Sequence, residues 1–129
     1  MTSDLAKAVE LYAAVHFTVI GLSHVVQPRA WVTFFLLLRA HGTTGAFANG
    51  FLSLIFGSII VAFHNVWDGG AIVLTLIGWA QIVKASVNFL APEFGLRSMN
   101  RVSLERSWEF QVAGAVLLLI AGWLVFRLV

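Results

Sequence analysis

Lys84 stands inside an otherwise apolar run, with Gln81 before it and Asn88 after it at spacings of three and four. Those spacings stack an ammonium and two carboxamides on one strip of a helix. A charged side chain at membrane depth is costly and is a functional candidate by default. His24, Asn49 and Gln111 fall towards the same side of the membrane as Lys84 when successive apolar runs alternate in direction, so all six are candidates for a ligand or ion site. Glu10, His64, Asn65 and Asp68 gather towards the opposite end as a second polar cluster. The chemistry such groups offer is the binding or passage of an anion, a small solute or a proton. Lys84 also has a plainer use: about 9 Å from the helix end, it can snorkel to lipid phosphates.

Covalent and metal chemistry find little support. The chain has no cysteine, which removes thiol catalysis, disulfides and thiolate metal sites. No glycine-rich phosphate loop, zinc spacing or nucleophile motif occurs. Four histidines raise haem, and a b-type site needs two axial histidines at matching depth on facing helices. His16 lies near the middle of its run, His24 towards one end, His41 in a connection and His64 at the other end. No cofactor or metal is therefore predicted, and haem would need an oligomer or a different axial ligand.

The elements that position these groups follow from composition. Hydrophobic residues make up 60% of the chain and charged residues 11%, where a soluble domain carries about 25% charged residues. Eight Lys and Arg against six acids is too small an excess to suggest nucleic acid. Four apolar runs, about 5–26, 44–63, 71–90 and 107–126, each approach the roughly 20 residues that cross a bilayer. MTSDLAKAVE lacks the basic start and cleavage site of a signal peptide, so it reads as the beginning of a retained first helix, capped by Ser3 or Asp4. Pro28 closes that helix, and Gly69, Gly70 and Pro92 bracket the third.

Residues 28–41 are too few to span. Arg29, Thr33 and Arg39 lie towards one side of the wheel and Trp31, Phe34, Phe35 and Leu38 opposite, the pattern of an amphipathic helix in the membrane interface. Extension of a neighbouring span is the alternative. Residues 92–107 form a polar connector in which Ser103 is placed to cap the last helix. The expected architecture is an all-α integral membrane bundle of four transmembrane helices, one domain over residues 1–129.

Small residues mark the packing faces. Ala46, Gly50, Ser53 and Gly57 form one stripe and Ala71, Thr75, Gly78 and Ala85 another. Such stripes let helix backbones approach where no hydrophobic effect drives association. The first leaves a groove for a helix of another chain, or for the third span of the same chain. Glu10, Ala14, Phe17, Gly21 and His24 share an inward face of the first span. In the fourth, Gln111, Gly114, Leu118 and Gly122 read as the packing face, with Glu109, Trp123 and Arg127 turned to lipid.

The block His64-Asn65-x-Trp67, then Thr75-x-x-Gly78-Trp79, Lys84 and Pro92, resembles a pattern in small four-helix bacterial inner-membrane proteins of uncharacterised function. The resemblance covers roughly residues 44–92; it implies the fold and compartment and supplies no activity. Arg29, Arg39, Arg97, Arg101 and Arg106 bias two connections to the cytoplasm, with both termini outside. The function expected is non-enzymatic: a bundle that contacts membrane lipids and forms a homo-oligomer or joins a larger membrane assembly. A small-solute or proton carrier is the alternative, and a haem or quinone redox protein a weaker one.

Overall fold

The computed structural model describes residues 3–129, whose regular structure is helical with no strand among them. The helices are α1 (Asp4–Val26), α2 (Pro28–Ala40), α3 (Thr43–Phe63), α4 (Ile72–Leu90), α5 (Pro92–Ser98) and α6 (Trp108–Leu128). Short 3₁₀ turns precede α4 at Gly69–Ala71 and α6 at Leu104–Arg106. Four stretches are long and apolar enough to cross a membrane: Asp4–Val26, Thr43–Phe63, Gly69–Leu90 and Leu104–Leu128.

Local chemistry explains the boundaries. Ser3 caps α1, its Oγ accepting the amide N–H of Ala6 at 3.1 Å. Pro28 has no N–H to continue α1, and α2 leaves at a bend. Trp31 Nε1 donates to Ser23 Oγ at 2.9 Å. In a straight helix those residues stand about 12 Å apart along the axis, beyond the reach of the two side chains. Gly42 (φ +61°) and Gly69 (φ +63°) take the left-handed backbone that turns the chain into α3 and α4. Pro92 stops α4 and opens α5 from its first turn.

The polar connector is more ordered than its composition suggests, because α5 occupies half of it. Ser103 takes an extended conformation before the second 3₁₀ turn, but its side chain makes no capping hydrogen bond. The cap expected there is absent.

The chain divides into two compact units. One joins the start of α1, through Val9, to Leu37–Arg101; the other joins Glu10–Leu36 to Val102–Val129. In the first unit, α3 and α4 run antiparallel with their small stripes pressed together. A Cβ on Gly57 would meet Gly78 O and Gln81 Cβ at 2.9 Å, and one on Gly78 would meet Ile60 Cγ2 at 2.5 Å. Further along, a Cβ on Gly50 would meet the Phe89 ring at 2.9 Å and Asn88 Cβ at 3.2 Å. The groove on α3 is thus filled by the third span of the same chain.

In the second unit, α1 and α6 are also antiparallel and meet at Gly21 and Gly114. A Cβ on Gly21 would lie 3.0 Å from Gly114 O, and one on Gly114 would lie 2.6 Å from Gly21 O. The buried stripe of α6 is Gly114, Ala121 and Leu124. This differs from the face read from sequence: Gly122 has nothing within 4 Å of where a Cβ would stand, and Gln111 is exposed. Arg127 is turned inward instead of towards lipid.

Candidate functional site

The richest polar cluster of the first unit lies where α3 passes to α4. α3 ends at Phe63, and His64–Asp68 is non-helical. The loop then folds back beside α4 to the level of Thr75, about 4.5 Å past the start of that helix. Backbone N–H and C=O groups there must be satisfied by protein if the helix spans a membrane. Thr75, fully buried, supplies the partner. Its Oγ1 accepts the N–H of Val66 at 3.1 Å, and the carbonyl oxygens of Val66 and His64 lie 2.6 and 3.0 Å from it. The hydroxyl has one proton to give, and Val66 O is the nearer acceptor. His64 is also fully buried, with Nδ1 3.3 Å from the same hydroxyl.

Asn65 works at the rim of this turn. Its Oδ1 accepts from Trp67 Nε1 at 2.9 Å and from Trp79 Nε1 at 3.2 Å. One amide oxygen therefore fixes two indoles, one from the loop and one from α4. Asn65, Trp67, Asp68 and Trp79 remain exposed. Asp68 sits at the N-cap of the 3₁₀ turn but makes no side-chain capping bond. His64, Asn65, Trp67, Thr75 and Trp79, separate letters in the sequence, form two adjoining hydrogen-bonded groups here, one around Thr75 and one around Asn65.

The other end of the α3–α4 pair holds Asn49, Gln81, Lys84 and Asn88. Lys84 is exposed. Gln81 is half-buried, and its Cβ backs Gly57. Asn49 is buried on the inner stripe of α3. Asn88 is buried between Gly50 and Gly95; its Nδ2 donates to Lys84 O at 3.0 Å, while its Oδ1 has no hydrogen-bond partner. A Cβ on Gly95 would collide with that oxygen, so only glycine lets α5 close over Asn88. Arg39, on the polar strip of α2, is half-buried and donates from Nη1 to Met99 O at 3.0 Å, tying the end of α2 to the end of α5.

The second unit holds Glu10, His24 and Gln111. Glu10 is 1% exposed and accepts from Arg127 Nε at 3.1 Å, a link between the first turns of α1 and the last turn of α6. Gln111 Nε2 donates to Val25 O at 3.2 Å, taking a carbonyl at the end of α1, close to where Pro28 interrupts the helical ladder. His24 Nδ1 lies 2.8 Å from Ile20 O, a contact in which Nδ1–H donates to the carbonyl. Trp31 stacks on His24 with centroids 4.1 Å apart, and the Phe110 ring lies tilted to His24 at 5.6 Å. A cavity of about 270 Å³ lies beside this group, lined by Ser23, Ala30, Trp31 and Phe34.

Sequence reasoning missed Arg127 as the partner of Glu10, and Trp79 as the second ligand of Asn65. A trace of the latter was present, because Trp79 follows Thr75 by four residues and shares its side of α4. Among the described residues, no group of three or more His, Asp or Glu is placed to hold a metal ion. Comparison with protein-family models, with curated proteins and with solved structures finds no match to this chain.

Proposed function

We propose that this chain is a non-enzymatic bacterial inner-membrane helix bundle that self-associates or serves as an accessory subunit of a larger assembly. One observation carries the reading: polar side chains within the spans act as ties inside the chain itself. Thr75 holds the α3–α4 loop, Glu10 holds Arg127, and Gln111 takes the carbonyl of Val25. Around them stands a largely apolar exterior, with Val112, Val116, Leu119 and Phe126 of α6 all exposed. The resemblance carried by residues 64–92 supports the same compartment, and the arginines of residues 28–43 and 91–107 support an orientation with both termini outside.

Native electrophoresis of the tagged protein, gently extracted from its own membranes, tests the assembly. The expected species is larger than one copy; a single-copy species in every mild detergent would overturn the proposal. Cysteines at Ser3 and Gly69 should react with an impermeant thiol reagent in intact cells, and one at Ser98 only after lysis.

A small-solute or proton carrier is the second reading, favoured by Asn88. Its buried Oδ1 lacks a partner one turn from Lys84, leaving an acceptor inside the helix layer. Solute or proton uptake into proteoliposomes separates this reading from the first.

A further inference from the structure

Tryptophans at a membrane edge ordinarily turn the indole N–H towards headgroups and water. Trp67 and Trp79 do the opposite. Both N–H groups point at Asn65 Oδ1, yet the residues are 52% and 39% exposed. What they present to their surroundings is carbon and π surface, fixed in place by a shared acceptor. Next to Trp67 stands Asp68, exposed and not used as a side-chain cap. Gly69 follows with φ +63° and nothing within 4 Å of where a Cβ would stand, so the approach to this corner is open.

We propose that Trp67, Trp79 and Asp68 bind the ammonium of a zwitterionic phospholipid headgroup. Indole faces attract a cation through the ring quadrupole, and the carboxylate of Asp68, the chain neighbour of Trp67, adds charge complementarity. The loop joins two stretches able to span a membrane, and insertion of both would put it at headgroup level. A headgroup without an ammonium brings only its phosphate to Asp68, and like charges repel. Asn65 is a positioning residue: by accepting both indole N–H groups it holds the two rings at one corner. Thr75 and His64 hold the loop beneath.

The test is native mass spectrometry of the full chain in mild detergent, with phosphatidylethanolamine or phosphatidylglycerol of matched acyl chains. Wild type should retain the ethanolamine lipid about fivefold better. Asp68→Asn and Trp67→Leu should each remove most of that preference. Trp79→Phe, which keeps a ring but loses its bond to Asn65, should weaken it less. Thermal unfolding of each variant, followed by circular dichroism, should match wild type, because the Thr75 ties are untouched. Tetramethylammonium should displace phosphatidylethanolamine and leave phosphatidylglycerol bound. Equal retention of the two lipids, or unchanged preference in the folded Asp68→Asn and Trp67→Leu variants, would overturn the proposal and leave the indoles as interface anchors. Tetramethylammonium binding without any lipid preference would also overturn it, assigning the corner to a free organic cation.

Discussion

The antiparallel pairs α3–α4 and α1–α6 solve the same problem by different means. Along α3–α4, contact is continuous: Gly57 against Gly78 and Gly50 against Phe89 and Asn88, with Thr75 fastening the loop at one end. Along α1–α6 the backbones meet closely at Gly21 and Gly114, and polar ties stand near either end of the pair, Glu10 with Arg127 and Gln111 with Val25 O. Without a hydrophobic force between helices in lipid, association rests on close packing and on interhelical hydrogen bonds. The first pair draws on packing. The second adds polar ties to one short patch of it. Substitution by volume should therefore damage α3–α4 all along its length and α1–α6 only where Gly21 meets Gly114, and substitution by polarity should show in α1–α6.

The largest effect is expected for Gly57→Leu. Its Cβ would stand 2.9 Å from the backbone oxygen of Gly78 and 3.2 Å from the backbone nitrogen of Ile82, neither of which can swing aside. A cost of about 3 kcal/mol or more follows, read as a fall in thermal midpoint in detergent. Gly122→Leu on α6 is the matched control, since open space surrounds that position. Its monomer stability should stay within about 0.5 kcal/mol of wild type. If both variants unfold alike, the contrast between the pairs fails. If Gly122→Leu keeps the fold but loses the larger native species, α6 becomes the assembly surface.

The same contrast explains what the sequence could convey. Helix lengths, the bend at Pro28 and the small stripe on α3 were legible because proline, glycine and apolar run length act locally. Which way α6 turns was not. That helix is apolar nearly all round, so no preferred face is written into it, and Gly114 and Gly122 are equally small candidates for its packing face. Only the tertiary contact with Gly21 distinguishes them. Arg127 was lost for the same reason: the rotation that buries Gly114, Ala121 and Leu124 also brings its guanidinium to Glu10. The polar corner was half legible. His64, Asn65, Thr75 and Trp79 stood out as residue types, but their joint hydrogen bonding depends on the loop folding back to the level of Thr75, which spacing alone does not specify.

Thr75→Val should come next in size. Valine keeps the shape and removes the hydroxyl that Val66 uses both as acceptor and as donor. Two backbone groups, part-buried, would lose their partner, for about 2–3 kcal/mol. Thr75→Ser should recover most of it. Hydrogen exchange at Val66 should rise sharply in the valine variant and little in the serine one; unchanged exchange in both would remove Thr75 from the account of the loop.

Arg127→Met is expected to be smaller. It deletes the guanidinium hydrogen bond of a carboxylate that is 1% exposed, from a side chain itself 22% exposed. Partial solvent access on the arginine side reduces the loss, and about 1–2 kcal/mol is expected. Adding Glu10→Gln should recover part of it, since a neutral amide costs less to bury than a carboxylate that has lost its guanidinium. Failure of the double variant to recover any stability would show that the tie matters for shape and not for charge.

Lys84→Met should have the smallest effect on stability and the sharpest bearing on function. Lys84 is exposed on α4, and its side chain takes no part in the seam, which uses Thr75, Gly78 and Ala85 on another face. Its backbone oxygen still receives Asn88 Nδ2 whatever the side chain. Methionine keeps the unbranched shape and helix propensity, so the fold should change by less than about 0.5 kcal/mol. Removing a charge from an exposed position within an apolar span can even stabilise the inserted helix, because translocon scales charge about 2.5–3.5 kcal/mol for lysine at a span centre and less near its end. A snorkelling lysine then predicts normal assembly and normal growth for both Lys84→Met and Lys84→Arg. A solute or proton site predicts loss of uptake in Lys84→Met with the thermal midpoint unmoved. It also predicts a distinct defect in Lys84→Arg, where a planar fork replaces a compact ammonium. Uptake by the two variants in proteoliposomes, measured beside their thermal midpoints, therefore decides whether this face of α4 carries chemistry or only meets lipid.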